Sequence, residues 1–260
     1  MTTQKLLDMA VELDGQGKAL LCIHGLGGSS NTWSTLMPAF HAKQVIRPDL
    51  PGSARSDIPT QPLSIESYVD AMEALLRWLN IDEVHLVAHS MGTIVAQHIA
   101  ARNFVKVQSL VLFGPLTEPP EAARKNILER AKLARSGIEK LQEIADAVAM
   151  GATSTQTKNH QPEVLALVRE CIMRQTPEGY ARSCEALAGA RAAQIENIKV
   201  PTLMITGDQD GVGTPQVVAQ MADRIARSRA VVVDGCGHWA SFENPMRCRQ
   251  ELEEFYGALQ

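Results

Sequence analysis

The sequence predicts an α/β protein: a mostly parallel sheet flanked by helices, interrupted once by an all-helical insertion. Two observations predict it. Short apolar runs alternate with amphipathic stretches from Ala19 to Phe113 and again from Thr202 to the C-terminal helix. Repeated strand–helix–strand units of this kind build a parallel sheet covered on both faces. Between the two regions, from about Glu118 to Ile195, the chain is rich in Ala, Glu, Arg and Leu and offers no convincing strand. The expected organisation is a core of residues 1–116 and 196–260 carrying a helical cap, 117–195, inserted before the strand Thr202–Thr206.

Each element has its own signal. Leu6–Leu13 is the stretch available for a strand before the Gly15–Gly17 turn, so one antiparallel strand is expected to lead into the strand Ala19–Ile23. That strand runs into His24-Gly25-Leu26-Gly27-Gly28, with helical material around Trp33–Phe40. Val45–Arg47 is a second strand, stopped by Pro48-Asp49-Leu50-Pro51-Gly52. Ser64 and Ser67 open a helix whose Tyr68, Met72, Leu75, Leu76 and Leu79 recur at steps of three and four. Val84–Ala88 is a buried strand, Thr93–Ala101 a helix, and Leu110–Phe113 a strand. The insertion divides into helices near 121–136, 138–150, 162–175 and 177–189. Afterwards come the strand Thr202–Thr206, the helix Pro215–Ala226, the strand Ala230–Val233 and a last helix from Pro245 to about Leu259.

Composition limits the function classes. The 260 residues are 45% hydrophobic and 21% charged, the balance of a globular chain with a large core. With 25 basic and 29 acidic residues the net charge is −4, and the basic residues are scattered, which argues against a nucleic-acid partner. No run of about 18 apolar residues suggests a membrane span, and the N-terminus lacks a secretory pattern. Five cysteines without C-x-x-C spacing argue against a zinc ribbon or disulfide framework. A cytoplasmic protein is expected, with no metal and no organic cofactor; a homo-oligomer remains open.

The chemistry concentrates around Val84-His85-Leu86-Val87-Ala88-His89-Ser90-Met91-Gly92-Thr93. A buried strand stops and a helix begins within about two residues, with Ser90 at the joint. So tight a reversal strains the serine backbone and lifts its hydroxyl clear of the sheet. A serine there also serves as an ordinary helix N-cap, so the reading needs partners. A hydroxyl is a poor nucleophile near neutral pH and requires a base within reach. His238, in Gly235-Cys236-Gly237-His238-Trp239, lies beyond a strand end, directly after a glycine-rich turn. His85 lies inside a strand, His98 in a helix, and His41 and His160 in polar stretches, while His89 should point to the side opposite Ser90.

The base needs an acceptor that fixes its tautomer. Asp208 and Asp210 both follow the Thr202–Thr206 strand, and Asp208, nearer its end, reads more readily as a turn former. An anion site completes the set. The glycines of residues 24–28 let backbone N–H groups turn inward, and the N–H groups of Leu26 and Met91 are the expected donors. A nucleotide phosphate loop is disfavoured, because Ser30 occupies the third glycine position of G-x-G-x-x-G and no Walker lysine follows.

Together, His24-Gly25-Leu26-Gly27-Gly28, Asp49-Leu50-Pro51-Gly52-Ser53-Ala54-Arg55-Ser56, Ala88-His89-Ser90-Met91-Gly92, Gly207-x-x-Asp210 and Gly237-His238-Trp239 resemble the α/β-hydrolase superfamily. The resemblance runs from about Leu20 to the C-terminus. It implies the α/β-hydrolase fold, with Ser90 as nucleophile, Asp210 as acid and His238 as base. Ala88, standing where the usual pattern has glycine, and the short N-terminus depart from the pattern without removing a catalytic part. Gln175-Thr176-Pro177-Glu178-Gly179-Tyr180, Cys184-x-Ala186-Leu187 and Val200-Pro201-Thr202-Leu203 further resemble bacterial 3-oxoadipate enol-lactonases and their esterase relatives.

The resemblance implies hydrolysis of a small carboxylic ester or lactone through an acyl-enzyme. Met91, Trp239, Leu26, Met150 and Met173 are the expected lining of a mostly apolar pocket. Two alternatives use the same residues differently: a carbon–carbon bond hydrolase of a vinylogous diketone, and a non-catalytic receptor for a small ligand on the same fold.

Overall fold

The computed structural model describes residues 2–259 and begins with a hairpin. Strands β1 (Thr2–Leu6) and β2 (Met9–Asp14) pair antiparallel across the loop Leu7–Asp8. Both loop residues have positive φ, 49° and 63°, a geometry that matches the twist of the strands they join. The single strand expected over Leu6–Leu13 is therefore two strands. Leu-Asp reverses the chain there without the glycine that marks such a turn in a sequence, and β2 pairs with β4 (Lys43–Pro48) rather than with the strand that follows it.

The remaining strands are parallel: β3 (Lys18–Ile23), β4, β5 (Glu83–His89), β6 (Lys106–Phe113), β7 (Thr202–Gly207) and β8 (Ser228–Val233). The sheet order is β1-β2-β4-β3-β5-β6-β7-β8. Alternate residues of each strand face opposite layers, as the two-residue period requires. Leu21, Ile23, Leu110 and Leu112 pack with Tyr68, Met72 and Ile94. Leu20, Cys22, Val111 and Phe113 pack on the other face with Trp33, Phe40 and Leu252.

Helix α1 (Ile65–Trp78) starts where expected: the Ser64 hydroxyl accepts from the Ser67 N–H, and the Ser67 hydroxyl from the Ser64 N–H. Helix α2 (Met91–Arg102) follows β5 with only Ser90 between them. Residues Ser30–Phe40 form 3₁₀ turns, with Pro38 inside them. Five helices lie between β6 and β7: α3 (Glu121–Arg135), α4 (Ile138–Gly151), α5 (Thr155–His160), α6 (Pro162–Met173) and α7 (Pro177–Ala188). The short α5, Thr-Gln-Thr-Lys-Asn-His, has no apolar period to reveal it; Ser154 starts it by accepting from the Thr157 N–H. Helices α8 (Pro215–Arg224), α9 (Ala240–Glu243) and α10 (Pro245–Gly257) complete the chain. Among the described residues no helix is long and apolar enough to cross a membrane.

Candidate active site

Ser90 sits between β5 and α2 at φ 51° and ψ −123°, a region that a residue with a Cβ rarely enters. The surroundings hold it there. Its N–H donates to the Phe113 carbonyl on β6 at 2.9 Å, and its own carbonyl accepts from the Thr93 N–H at 2.8 Å. The neighbouring chain must come close: a methyl on Gly25 would stand 2.8 Å from the Ser90 Cβ, and one on Gly92 would overlap the carbonyl oxygens of Ile23 and His24. The Ser90 hydroxyl makes no capping bond to α2. The N-cap alternative fails on that point, and the hydroxyl turns elsewhere.

It turns to His238. The Ser90 Oγ and the His238 Nε2 are 2.8 Å apart, and the His238 Nδ1 lies 2.9 Å and 3.0 Å from the two carboxylate oxygens of Asp210. A carboxylate only accepts, so Nδ1 carries the proton and Nε2 accepts from the serine hydroxyl. Asp210 is 3% exposed. Burial works against its charge, but His238 and the N–H groups of Val212 and Gly213 outweigh burial and hold its carboxyl at about 2. Of the two sequence candidates, only Asp210 reaches the imidazole; Asp208 accepts from the Cys236 N–H and shapes the turn.

The glycine loop has an internal frame. The His24 Nε2 accepts from the Leu50 N–H at 2.9 Å, so its Nδ1–H donates to the Gly25 carbonyl at 2.8 Å. The Gly28 N–H donates to the same oxygen at 3.0 Å. In a trans peptide the carbonyl and the next N–H point opposite ways. Two donors on the Gly25 carbonyl therefore fix the direction of the Leu26 N–H. Neither that N–H nor the N–H of Met91, at the start of α2, engages an acceptor among the described residues. Below the loop, Asp49 accepts from the Ser30 N–H and the Arg55 Nε, and Arg55 also reaches Glu12.

Four residues near this constellation escaped the sequence reading. His89 was expected to face away, yet its ring centroid lies 4.8 Å from that of His238 and its Nε2 donates to the His238 carbonyl at 3.0 Å. The loop bearing His238 crosses the end of β5, so its backbone meets His89 while its ring meets Ser90. Gly114, at φ 52°, packs so closely that a methyl there would stand 2.8 Å from the His238 Nδ1 and 2.9 Å from the Asp210 Oδ2. The Gln175 amide, buried at the end of α6, donates to the carbonyls of Gly28 and Cys171 at 3.0 and 2.9 Å and accepts from the Ala54 N–H. Glu243 accepts from the N–H groups on either side of His238. Gly114 stands at the break Gly114-Pro115, and His89 and Gln175 stand in motifs that carry the family resemblance, but the sequence reading gives none of them a part in the site.

The expected lining residues separate. Met173 is half-buried and packs in one cluster with Leu26. Trp239 is buried, its ring stacked on Phe242 at 5.6 Å and against His89 at 4.9 Å. Met150 does not belong: it is 54% exposed. The inward stripe of α4 runs through Leu141, Ile144, Ala145 and Ala149, and the residue after Ala149 is turned about 100° off that stripe. Among the described residues no group of three His, Cys, Asp or Glu side chains is placed to hold a metal ion.

Sheet order, the strained strand–helix joint and the Ser90–His238–Asp210 chain of contacts together define a hydrolase of the α/β class. The sequence profile of the alpha/beta hydrolase fold matches residues 18–245, and the chain belongs to this family. It is 28% identical over 261 residues to the 2-hydroxymuconate semialdehyde hydrolase of Pseudomonas sp. strain CF600, covering 93% of this chain and 87% of that one. It is 27% identical over 237 residues to the 3-oxoadipate enol-lactonase 2 of Acinetobacter baylyi, covering 90% and 87%. Among solved structures, a thermophilic esterase from Thermogutta terrifontis superposes with a TM-score of 0.89 at 25% identity, covering 96% and 94%.

Proposed function

We propose that the protein is a serine hydrolase that cleaves a small carboxylic ester or lactone through an acyl-enzyme. The observation that carries this reading is the 2.8 Å contact between the Ser90 Oγ and the His238 Nε2, with Asp210 on the far nitrogen. His238 takes the Ser90 proton as the oxygen attacks the substrate carbonyl, and Asp210 stabilises the imidazolium that forms. The Leu26 and Met91 N–H groups receive the negative charge of the tetrahedral intermediate. A carbonyl bonded to two other donors and a position at the start of α2 support these two assignments. His238 returns its proton to the leaving alcohol and then activates water to release the acid. Helices α3–α7 act as a cap over the site, with Met173 and Leu26, which pack against one apolar cluster, supplying apolar surface to the substrate. The five cysteines are free and buried, which supports a reducing, cytoplasmic setting.

The similarity to an enol-lactonase and an esterase favours the ester or lactone bond. The similarity to the semialdehyde hydrolase favours the second reading, in which the same three side chains cleave a carbon–carbon bond. Labelling with a fluorophosphonate tests the class: wild type should react at Ser90 and Ser90→Ala should not. An unreactive wild type would point to a receptor. Product assays on enol-lactones, aryl esters and ring-fission diketones then separate the two hydrolase readings.

A further inference from the structure

Glu243 is buried in α9, and its carboxylate collects four donors, none of which carries a charge. Oε2 accepts from the Gly237 N–H at 3.0 Å, the Ser154 N–H at 2.8 Å and the Thr157 Oγ1 at 2.9 Å; Oε1 accepts from the Trp239 N–H at 3.1 Å. Gly237 and Trp239 flank His238 in the chain. Ser154 lies in the turn between α4 and α5 and Thr157 in α5 itself, both in the segment inserted between β6 and β7. The same turn supplies a second tie, because the His238 N–H donates to the Ala152 carbonyl at 2.9 Å. The backbones pack closely here: a methyl on Gly237 would stand 2.8 Å from the Ala152 carbonyl oxygen and from the Ser154 N.

We propose that Glu243 is a positioning residue for His238, clamping the backbone on both sides of the base to residues 152–157 of the helical insertion. The inference rests on His238 being the base of the reading above. Three consecutive backbone N–H groups, those of residues 237, 238 and 239, are each tied to Glu243 or to the insertion. With the backbone held, the imidazole has only its two side-chain torsions left, and Asp210 and Ser90 settle those. The insertion therefore supports the base directly. Movement that opens it at residues 152–157 would displace His238 from Ser90.

The chemistry of the clamp requires a group that only accepts. Glu243→Gln keeps the shape but turns an NH₂ toward positions where N–H and O–H groups already point, so at least one tie becomes repulsive. A displacement of the base of about 1 Å is enough to cost about 10²-fold in rate. The test is fluorophosphonate labelling of Ser90, resolved into the maximal rate and the half-saturating concentration, together with proton NMR of the imidazole Nδ1–H held by Asp210. Glu243→Gln is expected to lower the maximal labelling rate by roughly ten- to a hundred-fold. The half-saturating concentration should stay near wild type, and the Nδ1–H resonance should broaden or vanish. Thr157→Val, which removes one donor, should shift both readouts in the same direction by less. A purely structural Glu243 would lower the melting temperature and leave both readouts of the folded protein unchanged. Wild-type labelling and an intact resonance, in Glu243→Gln or in Thr157→Val should the former not fold, overturn the proposal. If the wild type shows the resonance yet never labels, the serine hydrolase reading fails and the clamp, read by the resonance alone, is still decided.

Discussion

The Nε2 of His89 donates to the carbonyl oxygen of His238 at 3.0 Å, so the residue preceding Ser90 holds the backbone of His238. The donation fixes a proton of His89 on Nε2, and its buried Nδ1 has no hydrogen-bond partner among the described residues, so burial keeps the ring neutral. Burial, and then the neighbouring His238, push it down to about 3.

This has a consequence for stability. Burial, with Lys43 adding to it, pushes His85 down to about 4, and burial also lowers His24. In the unfolded chain each titrates near the ordinary value of about 6.5. Below that value the unfolded chain binds more protons than the folded one, so stability falls with pH. For His85 the loss runs from about pH 6.5 toward 4 and for His89 toward 3, at up to about 1.4 kcal/mol per pH unit for each, and His24 adds to it in the same direction. Asp210 works in a lower window: its contribution is present above the usual carboxylate value and is lost only as pH falls toward about 2. Urea midpoints measured from pH 7.5 to 4.5 should decline below 6.5, and His85→Asn should flatten the decline. A constant midpoint across that range would contradict the buried neutral imidazoles.

Asp210→Asn should cost about 10³–10⁴-fold in kcat, because an amide facing Nδ1 no longer selects the tautomer that leaves Nε2 free to accept. Asp208→Asn retains an oxygen for the Cys236 N–H and should change turnover little. Steady-state kinetics on an aryl ester compares the two, and a larger loss at 208 would reverse the assignment.

Gly114→Ala places a methyl against the His238 ring and the Asp210 carboxylate at a backbone position with positive φ. Two effects are expected together: a melting temperature lowered by several degrees, for a cost on the order of 1–3 kcal/mol, and a fall in kcat well beyond what the unfolded fraction explains. Activity per folded molecule, measured well below the transition, is the deciding quantity.

Gln175→Ala frees the carbonyls of Gly27 and Gly28 and the Ala54 N–H from one buried amide. If these ties hold the loop that presents the Leu26 N–H, kcat should fall by up to about 10²-fold, with KM moving little. A change confined to KM would place Gln175 in substrate binding instead.

Much of the architecture was legible because local rules write it. The Ser64/Ser67 capping box, the apolar runs of β3 and β6, and the tight joint at Ser90 depend on neighbours within a few residues, and each stands where the pattern put it. The hairpin at Leu7–Asp8 and helix α5 were not legible, since neither carries the glycine or the apolar period that signals such an element. Met150 misled for a related reason: it ends an apolar helix, but the side of that helix which faces inward is set by α6 packing against Leu141 and Ile144, not by α4 alone.

By itself the sequence determined the kinds of side chain the chemistry needs and the strand ends that carry them, because a serine elbow, a histidine after a glycine turn and an acid after a strand are local features. The family resemblance implied Asp210, and the tertiary structure put it, not Asp208, on the imidazole. Only the tertiary structure turned His89 toward His238 and enlisted Glu243, Gln175 and Gly114. These residues act on backbone groups or rings brought close by folding, through a carbonyl, an N–H or a van der Waals surface. Every residue offers such groups alike, so no pattern of residue types announces which of them will meet.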